Sequence, residues 1–189
     1  MLRERTLKKW TLAEYHLMGK AGLLDVDDRV ELLDGEIVTM SPVGILHKAC
    51  VRRLTKLFSR RINDSALLEV QQPLVVGEDE PVPDVALLKP DPDDYSDRHT
   101  TASDALLVIE VSDSTLRSDQ GQKVPMYAAA NIPEVWIVDL NTDRIWVYLE
   151  PKDGSYTQIQ AYERAQSLTV QALPGVSLMV DEVLGKRGL

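Results

Sequence analysis

Among 189 residues there is one cysteine, Cys50. A lone thiol closes no internal disulfide, and no Cys/His cluster with zinc-ligand spacing accompanies it. No run of eighteen apolar residues occurs, so no membrane-spanning helix is expected. The basic opening "MLRERTLKKW" lacks the apolar stretch that a secretory leader places after its charges, so a cytoplasmic chain is expected. No internal repeat or low-complexity segment breaks the sequence. Acids outnumber bases, for a formal net charge of −9. That balance disfavours a general nucleic-acid coat, because phosphate contacts need cations. The acidity is uneven, however. It gathers in "GEDEPVPD" and "KPDPDDYSD", while no acid lies between Ser41 and Asn63.

What fills that gap is basic and periodic. At about 100° per residue, Val51, Leu54, Leu57, Phe58 and Ile62 share one face of a helix over residues 45–62. Lys48, Arg52, Arg53, Lys56 and Arg60 fall on the other face, and His47 projects toward the apolar one. Upstream, "WTLAEYHLM" carries a capping box, Thr11 with Glu14. In "RVELLDGEIVTM", Asp34-Gly35 suits a two-residue hairpin turn that sets Glu31 opposite Val38. "ALLEVQQPLVV" and "VPDVALL" read as strands, with Pro73 marking an edge or a break. A polar loop over 89–104 leads into an apolar strand over 105–111. A helix fits 119–130, with Asn131 as its left-handed cap. "EVWIVDL", "RIWVYLE" and "SYTQIQAY" add strands. The pattern is an α/β or α+β domain with a mixed sheet flanked by helices.

Chemistry concentrates at three positions. Asp84 enters one strand, Glu110 closes the next long strand, and Lys123 lies on the helix that follows. If the strands are neighbours, Asp84 and Glu110 converge, and two carboxylates with water suit Mg²⁺ or Mn²⁺. Such an ion activates water beside a phosphoryl group, and a nearby ammonium stabilises the developing charge.

"PD" at 83–84 and "IEV" at 109–111 resemble the PD-(D/E)xK nuclease superfamily. Ser112 stands where that superfamily usually has its lysine, and Lys123 matches a lysine moved to the following helix. "VELLDGEIVTMSP", His47, "PVPDVALL", "DYSDRH" and "LLVIEVSDSTLRSDQGQKVPMYAAANIPEVWIVDL" together look like the Uma-two family of restriction-endonuclease-like proteins, across roughly residues 10–150. Asn131 departs from a frequent glycine. The resemblance implies a restriction-endonuclease-like fold and metal-dependent cleavage of DNA phosphodiester bonds. It implies Asp84, Glu110 and the Val111 carbonyl as Mg²⁺ or Mn²⁺ ligands, with Lys123 positioning the water. The length suits one domain over 1–189, read as an N-terminal helix in 1–24, a nuclease core over about 25–150, and an extension of the same domain over 151–189. Cutting two strands with one site per chain favours a homodimer.

Each residue also has a plainer reading. Asp84 could be a turn residue, Glu110 half of a structural ion pair, and Lys123 the surface partner of Asp119. Glu31 could add an acid to the cleft or sit on a solvated strand face. Ser112 could hold water or cap a turn, Tyr127 could pack beside the site, and His47 could be a core histidine. The basic helix face is either solvated surface or the phosphate-contacting surface. A non-catalytic module binding nucleic acid or protein on the same fold is the rival reading, and RNA or single strands are alternative substrates.

Overall fold

The computed structural model describes residues 7–25, 27–113 and 116–186. The basic opening residues 1–6 and the Ser114–Thr115 portion of the long motif lie outside them. The expected mixed α/β architecture is present. Six strands form the main sheet in the order β3 (Leu67–Val70), β4 (Val85–Leu88), β5 (Ala105–Ser112), β6 (Glu134–Asp139), β7 (Arg144–Lys152) and β8 (Ser155–Tyr162). Only β5 and β6 run parallel. A parallel pair needs a crossover, and the helical segment after β5 supplies it.

β5 and β6 are central and covered on both faces, which is why "LLVIEV" and "EVWIVD" are nearly continuous apolar runs. One face packs on α2 (Ile45–Arg61) through Val51, Leu54 and Phe58, against Leu107, Ile109 and Trp136. The other packs on the crossover through Val124, Tyr127 and Ala128, against Val108, Val135 and Ile137. The crossover starts earlier than its periodicity implies. It begins as α3 (Leu116–Ser118), widens into a π-helical turn over Asp119–Lys123, and tightens into α4 (Val124–Ala129). It ends as a Schellman motif: Asn131 at φ 59° donates to Ala128 O, and Ile132 donates to Tyr127 O. Asparagine tolerates the left-handed region, so the missing glycine leaves the stop intact.

The early hairpin, β1 (Val30–Leu33) and β2 (Glu36–Thr39), stands apart from the main sheet. Glu31 lies opposite Val38, and both turn residues, Asp34 and Gly35, have positive φ. A Cβ on Gly35 would meet Lys9 Cβ at 2.9 Å, so the turn also leaves room for the incoming N-terminal segment. α1 (Leu12–Lys20) carries the predicted capping box. At the other end, β9 (Ser167–Thr169), β10 (Ser177–Met179) and α5 (Val180–Leu184) pack on α2. Buried Glu134 ties this region to the sheet by accepting from Gln171 N and Trp136 Nε1 at 2.8 and 2.7 Å. Burial lifts its carboxyl to about 6, against the pull of those two donors.

Candidate active site

Val85 pairs with Ile109 across the β4–β5 ladder, so Asp84 leaves the strand beside Glu110. Both line a cleft of about 540 Å³ together with Glu31, His47, Asp119 and Lys123. Alternation along β5 turns Ile109 and Val111 toward α2, and Glu110 and Ser112 toward the crossover. The π-helical turn then presents Asp119 and Lys123 to those two side chains. π turns recur at functional sites because the extra residue re-aims the helix face.

Asp84 is held from three sides. Its Oδ2 accepts from His47 Nε2 at 2.8 Å and from Val111 N at 2.9 Å, and its Oδ1 from Gln71 Nε2 at 3.1 Å. His47 therefore serves the carboxylate rather than the core. Its Nδ1 is buried without a hydrogen-bond partner among the described residues. Gly44, the N-cap of α2, lies close enough to Asp113 that a Cβ there would meet Oδ2 at 2.8 Å.

Glu110 is 4% exposed. Tyr127 Oη donates to its Oε1 at 2.7 Å, and Lys123 Nζ lies 3.3 Å from the same oxygen, which leaves Oε2 as the oxygen available to the cleft. Burial pushes the carboxyl up to about 8. Lys123 pulls it down, while Asp84, Asp119 and Glu31 push it further up. Lys123 is 6% exposed and donates to Glu31 Oε1 at 2.7 Å. Burial disfavours its ammonium, but Glu110 and Glu31 more than compensate and hold its pKa above the ordinary value. Tyr127 keeps its proton well above the usual range, because it is buried and faces Glu110. Burial thus favours the protonated form of Glu110, while the surrounding carboxylates favour the charged form of Lys123.

These contacts remove several plain readings. Lys123 and Asp119 are buried rather than a surface pair, and Ser112 Oγ donates to Asp119 Oδ2 at 2.5 Å. Glu31 is buried as well, with Val82 N donating to its Oε1 at 2.7 Å, so its strand face is not solvated. Asp119 was visible in the sequence only as a helix-surface partner. Gln71 follows β3 in "EVQQP" with no motif to mark it. On α2, Lys48, Arg52, Lys56 and Arg60 are exposed. Arg53 departs from the expected phosphate-facing set: its guanidinium donates to Val183 O and Leu184 O at 2.8 and 2.6 Å, closing the C-terminal end of α5.

Residues 12–181 match the family described as "Uma2: Putative restriction endonuclease". The chain belongs to the Uma2 family. Uma2 membership gives the coarse assignment, a nuclease-type protein, and the match runs past residue 150 through β9 and β10. A search of curated proteins returned no match. Among solved structures, a protein from Anabaena variabilis, described as "a putative nuclease belonging to DUF820", has a TM-score of 0.75 at 13% identity. The alignment covers 92% of this Uma2 chain and 97% of that one, so the two share a fold.

Proposed function

We propose that this chain is a divalent-metal-dependent endonuclease that hydrolyses DNA phosphodiester bonds, with Asp84 and Glu110 as metal ligands and Lys123 as the catalytic cation. The observation that carries this reading is the meeting of Lys123, Glu110 and Glu31 in the cleft that Asp84 also lines. A structural ion pair needs two of these groups. A cleft lined by Glu31, Asp84, Glu110, Asp113 and Asp119 suits an added positive charge.

The donor set fits a hard cation. In a strand, a residue's N–H and C=O face the same edge. The Val111 N–H is taken by Asp84, so the Val111 carbonyl is turned the same way. Asp84, Glu110 and Val111 thus offer only oxygen, the donor that Mg²⁺ and Mn²⁺ prefer. When bound, such an ion would supply water activation and charge neutralisation at phosphorus. The chain's own residues supply the geometry. His47 and Gln71 fix Asp84, and Tyr127 fixes Glu110. Lys123 holds an ammonium beside the attacking water and stabilises charge on the phosphoryl oxygens. Glu31 keeps that ammonium protonated, and Ser112 with Asp119 anchors the helix start to the strand end.

We read residues 1–189 as one domain working as a homodimer, each copy cutting one strand. The test is incubation of supercoiled plasmid, single-stranded DNA and RNA with Mg²⁺, Mn²⁺ or EDTA. Nicked and linear plasmid with either ion, and intact plasmid in EDTA, is the expected result. Binding without cutting under every ion would favour the non-catalytic module, and preferential loss of RNA would reassign the substrate.

A further inference from the structure

A second group of metal-ligating side chains lies apart from the nuclease cleft. The chain has three histidines. One, His47, serves Asp84. The other two, His16 and His99, meet at Glu80, and the ligand atoms of these three residues all lie within 4.8 Å of one another. His16 Nε2 is 2.6 Å from Glu80 Oε2, and the two imidazole rings stack with centroids 4.7 Å apart. Glu80 is 6% exposed, a costly place for a carboxylate without cationic partners. We propose that His16, Glu80 and His99 form a binding site for a transition-metal ion of the zinc class, chemically distinct from the all-oxygen nuclease site.

Two imidazoles and one carboxylate, with water in a fourth position, make a common tetrahedral set for zinc. Nitrogen donors favour such ions over magnesium. With bonds of about 2.0–2.1 Å, tetrahedral ligands stand on the order of 3.3 Å apart. His16 and Glu80 must open slightly, and His99 must close by up to about 1.5 Å. His99 can make that movement because its side chain is exposed. Its two neighbours are tied down: the Arg98 side chain donates to the Asp104 carboxylate at 2.7 and 2.8 Å, and Thr100 O accepts from Val75 N at 2.9 Å.

The site also meets a structural need. α1 buries no residue and has nine residues, too few for a helix to persist alone. Beyond its own capping segment, a polar contact reaches it from Glu80, through His16. Glu80 exchanges backbone hydrogen bonds with Leu32, next to Glu31. An ion on His16, Glu80 and His99 would pin α1, the 89–104 loop and the Glu31 strand together.

Cobalt titration tests this, because low-coordinate, nitrogen-ligated cobalt absorbs visibly while magnesium is silent. The full chain, freed of metals and then given excess Mg²⁺ to occupy oxygen sites, should develop the band on Co²⁺ addition and lose it to Zn²⁺. His99→Ala and His16→Ala should each weaken Co²⁺ binding at least about tenfold. Glu110→Gln, which alters the nuclease cleft, should leave the band unchanged. Zn²⁺ should raise the Tm of the parent and not that of His99→Ala, an exposed position whose truncation leaves the fold alone. No band, a band unchanged in both histidine variants (which would place the ion at His47), or a band lost in Glu110→Gln would each overturn the proposal. The readout is spectroscopic, so it stands or falls independently of DNA cleavage.

Discussion

Lys123 is buried between two carboxylates, and its replacement has two separable effects. Lys123→Ala leaves Glu31 without its cation, so stability should fall by about 3–5 kcal/mol in a denaturant titration. Lys123→Gln keeps a donor for Glu31 and should hold the fold while cutting cleavage by about 10²–10³. Lys123→Arg should rescue poorly, because a planar fork does not replace a compact ammonium. A folded Lys123→Gln protein that cuts as fast as the parent would refute the assigned role. Glu110 makes a separate prediction in EDTA. Its folded pKa of about 8 lies above the ordinary 4.5, so the folded state binds the extra proton. The stability gained is complete below about pH 4.5 and is lost as pH rises through 8, by up to about 1.4 kcal/mol per unit. Glu134, at about 6, adds a slope of the same sign at lower pH. Glu110→Gln should therefore flatten the pH dependence of urea midpoints between pH 6 and 8, and reduce it between pH 4.5 and 6 to the share of Glu134.

At the scale of elements, α2 does two jobs on its polar face. Lys48, Arg52 and Lys56 are exposed around a shallow depression that Gln71 also lines, beside the cleft. Neutralising two of them should flatten the salt dependence of DNA binding by roughly two log–log units. Arg53→Ala should leave that slope alone and destabilise the packing of α5. The same helix shows what sequence could reveal. Its length and buried face follow from the spacing of Val51, Leu54 and Phe58, and the Asp34-Gly35 turn and the central strand β5 were equally plain. Asp84, Glu110 and Lys123 were legible through their motif, and the structure adds their meeting. Asp119 was not legible, because an Asp four residues before a Lys describes an exposed helix pair equally well. Only the π-helical turn, which no residue type announces, carries both inward. The partners of Arg53 and Gln71, and the His16–Glu80–His99 group, depend on contacts between distant segments that no local pattern encodes.

For the whole molecule, a net charge of −9 and a carboxylate-rich cleft both oppose a polyanionic substrate. A divalent ion addresses the second obstacle directly. Mg²⁺ at 100 times its dissociation constant should stabilise the folded protein by about 2.7 kcal/mol. That gain should appear as a raised Tm in the parent and vanish in Asp84→Asn. The hairpin that carries Glu31 lies outside the main sheet, yet its carboxylate meets Lys123 across a sequence separation of 92 residues. Closing so long a loop is entropically expensive, and contacts of that range slow folding. The central strands and α2 can collapse while the Glu31–Lys123 contact is still open. During renaturation, recovery of the sheet and recovery of the cleft are therefore expected as two events in time, with far-UV signal returning before Mg²⁺-dependent protection of the Glu31 hairpin.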